Sequence, residues 1–377
     1  MVTLGAPGQI MPPASRAVEL ARRAEADGFD SVWWPCHLMG WHPDSVWTED
    51  LTPLAAVQPN PHVYFEPLSM MAAVGAVTDR IRVGVCVTDV IRRHPAMLAQ
   101  QALTVDHLAG GRSILGLGSG ERMNVTPYGL EWSRPYSRLA EAVEVIRLLW
   151  GAQGPVDFAG RFFRLERAVL GLEPLDGRPP PIWIAAHGPK MLELTGRAGD
   201  GWLPTMMTPE EYAAKLAVVR RAAEQAGRDP DAVTPSMLAY VLAAPDEETL
   251  ERMCRQPLVR LLFPAVSVPD EAYRDLGLAP PFSGGAGYDA YLPTRVSREE
   301  ALRLAERIPP AIVRRATLHG DARAIAEQIR AFEQAGLRDV VLWNVTAFAD
   351  PSLAGYSFRT LREVRRILSG EPAPRGS

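Results

Sequence analysis

The sequence predicts an α/β fold, a (β/α)8 TIM barrel with insertions over the C-terminal mouth of the barrel. Short apolar runs alternate with stretches whose apolar residues recur at helical spacing, which is typical of parallel βαβ units. Several of these runs are apolar almost throughout, as strands covered on both faces are. The length of 377 residues suits one such barrel, so we expect a single domain over residues 1–377.

The first βαβ unit lies at the N-terminus. Residues 2–6 form a short apolar run, and residues 13–27 then have helical spacing up to Gly28, a residue that commonly follows a helix. Residues 29–34 are the second strand. The connection 41–66 is rich in proline, aspartate and aromatic residues, and we expect it to form a wall of the site because loops of this length are usually functional.

The alternation continues along the chain. Residues 67–78 and 96–108 are predicted helices, residues 81–87 form a nearly continuous apolar strand, and residues 113–117 form the next strand after two glycines. Further strands are expected at residues 182–186, 200–205, 236–243 and 339–343, and further helices at residues 137–150, 190–197, 209–226, 322–335 and 357–367.

The segment 245–310 interrupts this alternation. It is rich in proline and contains the run SGGAG at residues 283–287, whose composition favours flexibility. We expect an insertion that caps the barrel mouth as a lid.

Composition excludes several classes of function. The formal net charge is −4, so no basic field exists for a phosphate backbone and nucleic-acid binding is not expected. The N-terminus lacks the pattern of a secretory signal, and no stretch of about 20 apolar residues predicts a membrane span. Cys36, Cys86 and Cys254 have no metal-ligand spacing and cannot all pair, so we expect no metal, no disulfide framework and a cytoplasmic location.

Reactive side chains follow the second strand. Cys36, His37 and Trp41 lie in the loop directly after Pro35. In a parallel barrel such groups gather at the C-terminal ends of the strands, where active sites form. The motif alone also fits a core histidine packed beside tryptophans, so both interpretations stay open at this point.

Two later strands lead into glycine-containing turns. The run GLGSGERMN, residues 116–124, lets a backbone approach a ligand closely, but its spacing is not the dinucleotide fingerprint, so a nicotinamide-binding Rossmann fold is not favoured. His187 and Gly188 lead directly into a predicted helix, whose free N–H groups suit a phosphate. A plain tight turn between strand and helix is the alternative.

Together these motifs resemble the luciferase-like superfamily of flavin and deazaflavin barrel enzymes. The resemblance is carried by CHLMGW (36–41), TDVIRRHP (88–95), GLGSGERMN (116–124), AAHGPK (185–190) and RAGDGW (197–202). The match is closest to the branch that uses the deazaflavin coenzyme F420, and WTEDLTPLA (47–55) together with TDVIRRHP is most similar to its ketoreductases. The resemblance implies a barrel oxidoreductase, and homodimers are common among such proteins.

The resemblance also implies roles for individual residues. His37 matches the family histidine that faces the deazaflavin ring, and Trp41 matches the indole beside its reactive face. Glu121 matches an acid that acts as proton donor and as partner to the histidine. The resemblance also implies a non-proline cis peptide at Cys86–Val87 and a phosphate-binding turn at residues 186–188. The residues that it places at the coenzyme are Cys36, Cys86, Val87, Ser119, Gly120, Asn124, Ala186, His187 and Gly188.

Cys36 departs from the family pattern. The family usually has an aspartate directly before the histidine, where an acid can hydrogen-bond the coenzyme or orient the imidazole. A thiol does this poorly. The change implies altered chemistry, a weaker hold on the coenzyme, or a packing substitution.

The predicted function is hydride transfer from reduced F420 to a carbonyl or imine of a bulky, apolar small molecule. His37 or Glu121 would donate the proton, a task suited to groups that titrate near neutrality. Sugar-phosphate relatives carry a lysine after the sixth strand, whereas this chain has Met206 and Met207 there, and methionine suits irregular apolar ligands. Trp47 and Tyr64 are also expected in the substrate pocket.

Two other functions are alternatives. A monooxygenase of the same fold would use FMN and molecular oxygen, and it would retain a yellow flavin. A barrel that has lost catalysis would act as a binding protein, and Cys36 is the main argument for it. Against it, His37, Glu121 and Asn124 keep the family spacing.

Overall fold

Parallel strands close into a barrel in the computed structural model, which describes residues 2–263, 268, 270–282 and 291–371. This confirms the predicted fold class. The strands are β1 Thr3–Pro7, β2 Ser31–Trp34, β3 Arg82–Val85, β4 Thr88–Asp89, β5 Ser113–Gly118, β6 Val156–Ala159, β7 Arg164–Ala168, β8 Ile182–Ile184, β9 Gly201–Trp202, β10 Thr234–Ala243, β11 Thr317–Gly320 and β12 Asp339–Asn344.

The barrel order is β1-β2-β3-β5-β8-β9-β10-β12, and β12 pairs with β1 to complete the ring. The eight strands of this ring correspond to the eight runs predicted from the sequence. The carboxyl ends of all these strands open at one mouth, because every pairing in the ring is parallel.

Helices surround the strands. They are α1 Ala14–Ala26, α2 Leu54–Val57, α3 Pro67–Gly75, α4 Pro95–Leu108, α5 Pro135–Gly151, α6 Pro189–Ala198, α7 Pro209–Gln225, α8 Glu247–Cys254, α9 Pro257–Arg260, α10 Asp270–Arg274, α11 Arg298–Glu306, α12 Pro310–Arg315, α13 Ala322–Gln334, α14 Thr346–Ala349 and α15 Ala354–Ser369. Many begin with proline, which lacks the N–H that a first helical turn leaves unpaired. Helix α7 also has a capping box between Thr208 and Glu211.

Large aromatic side chains fill the barrel interior. Trp33 and Trp183 are fully buried, with ring centroids 5.3 Å apart. Gly84 makes room for them, since a Cβ there would lie 2.4 Å from the Trp33 ring. The space below the mouth is therefore solid core, as in other barrels of this class.

Some elements were not predicted. Strand β4 has two residues and β11 has four, and their sequences TD and TLHG lack the apolar run that marked the predicted strands. The antiparallel hairpin β6–β7 has an irregular register and an exposed face, so its sequence lacks a clear apolar alternation.

The described part of 245–310 folds into the short helices α8 to α11. The predicted flexible run 283–287 lies outside the described residues, and the role of the segment as a lid stays a prediction. Within the ranges that the structure describes, no helix is both long enough and apolar enough to cross a bilayer.

Candidate active site

A cavity of about 470 Å³ opens at the C-terminal mouth of the barrel. Its walls come from the residues that follow β2, β3, β5 and β8 and from residues within β10 and β12. Most of the predicted site residues line it, namely Cys36, His37, Trp41, Cys86, Val87, Ser119, Gly120, Glu121, Asn124, His187 and Gly188.

His37, Glu121 and Asn124 form one hydrogen-bonded cluster in this cavity. His37 Nδ1 lies 3.4 Å from Glu121 Oε2. The Asn124 Nδ2 group lies 3.0 Å from His37 Nδ1 and donates to Glu121 Oε2 at 2.8 Å. The turn after β2 and the turn after β5 thus bring an imidazole and a carboxyl group together, as the sequence predicts for the ends of barrel strands.

Asn124 also holds the loop that carries His37. Its Oδ1 accepts from the backbone N–H groups of Leu38 and Met39, each at 2.8 Å. The side chain is 1% exposed, so water does not compete for these bonds. The asparagine therefore joins two strand exits.

Aromatic rings enclose His37. The Trp41 ring meets the imidazole edge-on at a centroid distance of 5.0 Å, and the Tyr64 ring lies 5.2 Å away on another side. Burial raises the pKa of Tyr64 well above its ordinary value, and the nearby Glu121 carboxylate raises it further. Tyr64 thus stays neutral and packs behind the imidazole.

Trp41 has a buried N–H without a partner. Its Nε1 atom makes no hydrogen bond to any described residue, although the side chain lines the cavity. A buried indole N–H usually finds an acceptor. The Trp41 carbonyl is satisfied, since the Tyr291 hydroxyl donates to it at 2.9 Å.

Three donors surround the Cys36 sulfur. The Thr88 hydroxyl lies 3.3 Å from it, and Arg92 Nη2 and Arg93 Nη1 each lie 3.2 Å away. Both guanidinium groups also have carboxylate partners, because Arg92 pairs with Asp89 and Arg93 pairs with Glu66. Cys36 therefore replaces an acid without leaving the arginines unpaired.

The backbone that follows β3 and the end of β5 together form one wall of the cavity. The Cys86–Val87 peptide is cis, as the resemblance implies. Gly118 faces Val87, and a Cβ at Gly118 would lie 2.5 Å from the valine Cγ2. Gly120 has a φ of +79°, a conformation that favours glycine.

The opposite end of the cavity lies at the start of α6. Gly188 precedes this helix, and its first turn has no side-chain cap. His187 Nε2 accepts from the Thr205 backbone N–H at 3.2 Å, and Lys215 Nζ donates to the His187 carbonyl at 2.9 Å. Burial, with a smaller contribution from the Lys215 charge, lowers the pKa of His187 to about 4, so the ring is neutral at pH 7.

Comparison with known proteins supports the resemblance seen in the sequence. The family model described as luciferase-like monooxygenase matches residues 2–339. The chain belongs to this luciferase-like family. The family predicted from the sequence is thereby confirmed.

Similar proteins within and around this luciferase-like family carry informative names. The phthiodiolone/phenolphthiodiolone dimycocerosates ketoreductase of Mycobacterium tuberculosis (strain ATCC 25618 / H37Rv) is 35% identical over 91% of each chain. An F420-dependent glucose-6-phosphate dehydrogenase of Nakamurella multipartita is 35% identical over 62% of this chain and 65% of its own. A solved F420-dependent secondary alcohol dehydrogenase has a TM-score of 0.77 at 24% identity and covers 97% of this chain and 99% of its own, which shows the shared fold.

Several predicted site residues are not among the described residues that line the cavity. Ala186 is buried in the core and its carbonyl accepts from the Trp202 indole at 2.9 Å, while its neighbour Ala185 lines the cavity. Met206 and Met207 are buried in the hydrophobic core and are not among the described residues that line the cavity, so the pocket role expected for them stays a prediction. An apolar pair after a strand end does not reveal from sequence whether it faces the cavity or the helices.

Trp47 also packs away from the cavity. Its ring lies 5.4 Å from the His42 ring, and its Nε1 donates to the Gln58 carbonyl at 2.6 Å. Tyr64 contacts His37 but is not among the described residues that line the cavity. The expectation that Trp47 and Tyr64 form part of the substrate pocket therefore stays a prediction.

Sequence reasoning missed part of the lining. Leu238, Tyr240 and Trp343 face the cavity from β10 and β12, and Trp132 and Met191 complete its rim. Strands β10 and β12 are apolar nearly throughout, so alternation could not separate inward from outward residues. Arg92 from the turn after β4 lines the cavity as well.

Proposed function

We propose that the chain is an F420-dependent oxidoreductase that reduces a carbonyl or imine carbon of a bulky, largely apolar substrate. The observation that carries the proposal is the His37–Asn124–Glu121 cluster, which faces a cavity that also has apolar and aromatic side chains in its wall. Similar proteins agree with this proposal, since one is a ketoreductase and another is an F420-dependent dehydrogenase.

The residues present fit a flat anionic coenzyme. The unpartnered buried Trp41 N–H is suited to an acceptor on a bound molecule. Val87 and Gly118 form a wall without protruding side chains, against which a flat ring can lie. The uncapped first turn of α6 after Gly188 offers backbone N–H groups to a phosphate.

The chemistry divides between coenzyme and protein. Reduced F420 supplies a hydride when bound. His37 and Trp41 bring N–H donors to the place where a substrate oxygen develops charge, and such donors are most effective where water is excluded. Glu121, whose Oε2 is held by Asn124, brings a carboxyl group that can transfer a proton in the same space.

The cavity supports an apolar substrate. Leu203, which follows β9, lines the cavity together with Leu238 and Tyr240 of β10 and Trp343 of β12. The Arg92 charge on its rim is already paired with Asp89. A sugar phosphate would lack a free cation among these described lining residues, whereas a hydrophobic ketone would find complementary walls.

Direct titration tests the coenzyme. F420 and FMN are added separately to the protein while tryptophan fluorescence is followed, and Trp41→Phe serves as the matched control. We expect F420 to quench strongly in the wild type and clearly less in Trp41→Phe, because Trp41 lines the site. Tight binding of FMN without binding of F420 would favour the monooxygenase alternative.

Turnover tests the reaction. We expect the protein to oxidise reduced F420 in the presence of long-chain ketones, with glucose 6-phosphate a poor competitor. Glu121→Gln, which keeps the hydrogen bond from Asn124, should lower kcat by about 100-fold or more because it cannot supply a proton. If Glu121→Gln and His37→Ala both leave turnover unchanged, the site assignment is wrong.

A further inference from the structure

We propose that Asn124 is a positioning residue that keeps neutral His37 in the Nε2–H tautomer. The imidazole would then present a hydrogen-bond donor to the cavity instead of a proton acceptor. This inference rests on the proposed function for its chemical meaning, but its geometry belongs to the protein alone.

The orientation of the Asn124 carboxamide is fixed by its contacts. Two backbone N–H groups, those of Leu38 and Met39, point at one of its terminal atoms at 2.8 Å. Only the oxygen can accept from them, because the amide nitrogen has no acceptor capacity. A flipped carboxamide would lose both bonds and bring N–H groups against N–H groups in a buried site, so the NH2 group must face His37 and Glu121.

Both hydrogens of this NH2 group then have assigned partners. One is donated to Glu121 Oε2 at 2.8 Å, and the other points at His37 Nδ1 at 3.0 Å. A donor on one side requires a lone pair on the other, so Nδ1 carries no proton in the neutral ring. The proton of the neutral imidazole must therefore be on Nε2.

Two other groups near Nδ1 could favour the other tautomer, in which Nδ1 carries the proton. The Met39 carbonyl lies 3.3 Å from Nδ1 and Glu121 Oε2 lies 3.4 Å from it, and either could accept a proton placed there. Both are farther from Nδ1 than the Asn124 nitrogen, and a proton on Nδ1 would meet the Asn124 N–H directly. Tyr64, the other titratable side chain against the ring, is held neutral by its raised pKa and adds no charge.

The tautomer decides what His37 can do. A neutral ring with Nε2–H polarises a carbonyl oxygen by donating a hydrogen bond, but losing that proton would leave an imidazolate. In the reduction, the carbonyl carbon gains the hydride, the π electrons move to oxygen, and the oxygen takes its proton from Glu121, which must enter this step as the neutral acid and leaves it as a carboxylate. His37 thus orients the substrate and Glu121 completes the reaction.

The tautomer can be measured without coenzyme. Protein labelled with ¹⁵N-histidine is studied at neutral pH by long-range ¹H–¹⁵N correlation of the imidazole rings, and His37 is assigned by comparison with His37→Gln. We expect the His37 pattern of a protonated Nε2 and a free Nδ1. A proton on Nδ1 of the neutral ring would overturn the proposal, and spectra taken up to pH 9 ensure that the neutral ring is the form observed.

Asn124→Asp provides the complementary variant. One carboxylate oxygen can still accept from Leu38 and Met39, while the other becomes an acceptor toward His37 Nδ1. We expect a proton to appear on Nδ1 and kcat to fall at least about tenfold with KM changed far less. Asn60→Asp is the matched control, since exposed Asn60 uses only its Oδ1, as acceptor for the His62 N–H, and should leave both readouts as in the wild type.

The outcomes separate this inference from the function. An unchanged His37 pattern in folded Asn124→Asp would refute the positioning role even if F420 turnover is confirmed. Failure to bind F420 would end the functional proposal while leaving the measured tautomer in place. If Asn124→Asp does not fold, the wild-type spectrum alone decides.

Discussion

Cys36 shows how one substitution is accommodated inside a charged site. The sulfur is a weak acceptor, yet it receives contacts from Thr88, Arg92 and Arg93. Each arginine also has a stronger acceptor nearby, so the thiol completes the arrangement without being its main partner. Its importance for stability should therefore be modest.

We expect Cys36→Ala to lower the free energy of unfolding by about 1 kcal/mol, because the Thr88 hydroxyl loses its acceptor while Arg92 and Arg93 keep their carboxylate partners. Urea denaturation of the two proteins measures the difference. Cys36→Ser should recover part of the loss, since a hydroxyl can accept from the same donors. Equal stability of wild type and Cys36→Ala would show that the three donors do not need the sulfur.

At this scale the sequence predicted the reactive groups better than the apolar walls. His37, Glu121 and Asn124 were predictable because each stands directly after a strand within a specific motif. Tyr240 was not recognised as a lining residue, because in continuous apolar segments no polar residue indicates which side faces the cavity.

The connection 41–66 and the segment 245–310 are tied to each other at the level of elements. His42 Nε2 lies 2.8 Å from the Leu258 carbonyl, and the Ser45 hydroxyl donates to the Val296 carbonyl at 2.8 Å. These contacts span more than 200 positions of sequence, so no local pattern could predict them. The predicted wall and the predicted lid thus share an interface in their described parts.

This interface should weaken in acid. Burial lowers the pKa of His42 to about 4, with the bond to the Leu258 carbonyl partly opposing it and His62 adding to it. In the unfolded chain the pKa is near 6.5, so between about pH 6.5 and 4 the unfolded state binds more protons. Stability should fall by up to about 3 kcal/mol as pH drops through this window.

Thermal unfolding between pH 7 and 4 measures the effect, with His42→Gln as the control. The variant cannot titrate at this position but can still donate to the Leu258 carbonyl, so its stability should depend less steeply on pH. The pKa of His187 is also lowered to about 4, so His187 contributes to the pH dependence of stability in both proteins. Identical slopes would show that His42 does not contribute.

Closure of the barrel depends on a polar cluster at the end opposite the cavity. Asp339 is 1% exposed and accepts from Thr3 at 2.5 Å, Ser236 at 3.0 Å and Arg82 at 2.8 Å. These residues belong to β12, β1, β10 and β3, so one carboxylate connects four strands of the ring. The ring itself was predictable from eight apolar runs, whereas this cluster was not, because its members are far apart in sequence.

Asp339→Ala should destabilise the whole barrel by about 3 kcal/mol, because it leaves Arg82 and two hydroxyl groups without their shared acceptor. The loss should appear in a single cooperative unfolding transition followed by circular dichroism. Asp231→Ala removes an exposed partner of Arg220 and should change stability by less than about 1 kcal/mol. Comparable losses in both variants would contradict a special role for the barrel cluster.

The two backbone N–H groups that grip Asn124 have a thermodynamic consequence for ligand entry. They hold Asn124 between the imidazole of His37 and the carboxyl group of Glu121 before any coenzyme binds, so the site is preorganised. Ordering a mobile side chain on binding costs about 0.5–1.5 kcal/mol, and here that cost is met during folding. Binding of the coenzyme and substrate therefore does not have to supply the free energy that aligns the acid and the imidazole, because folding of the barrel has already aligned them.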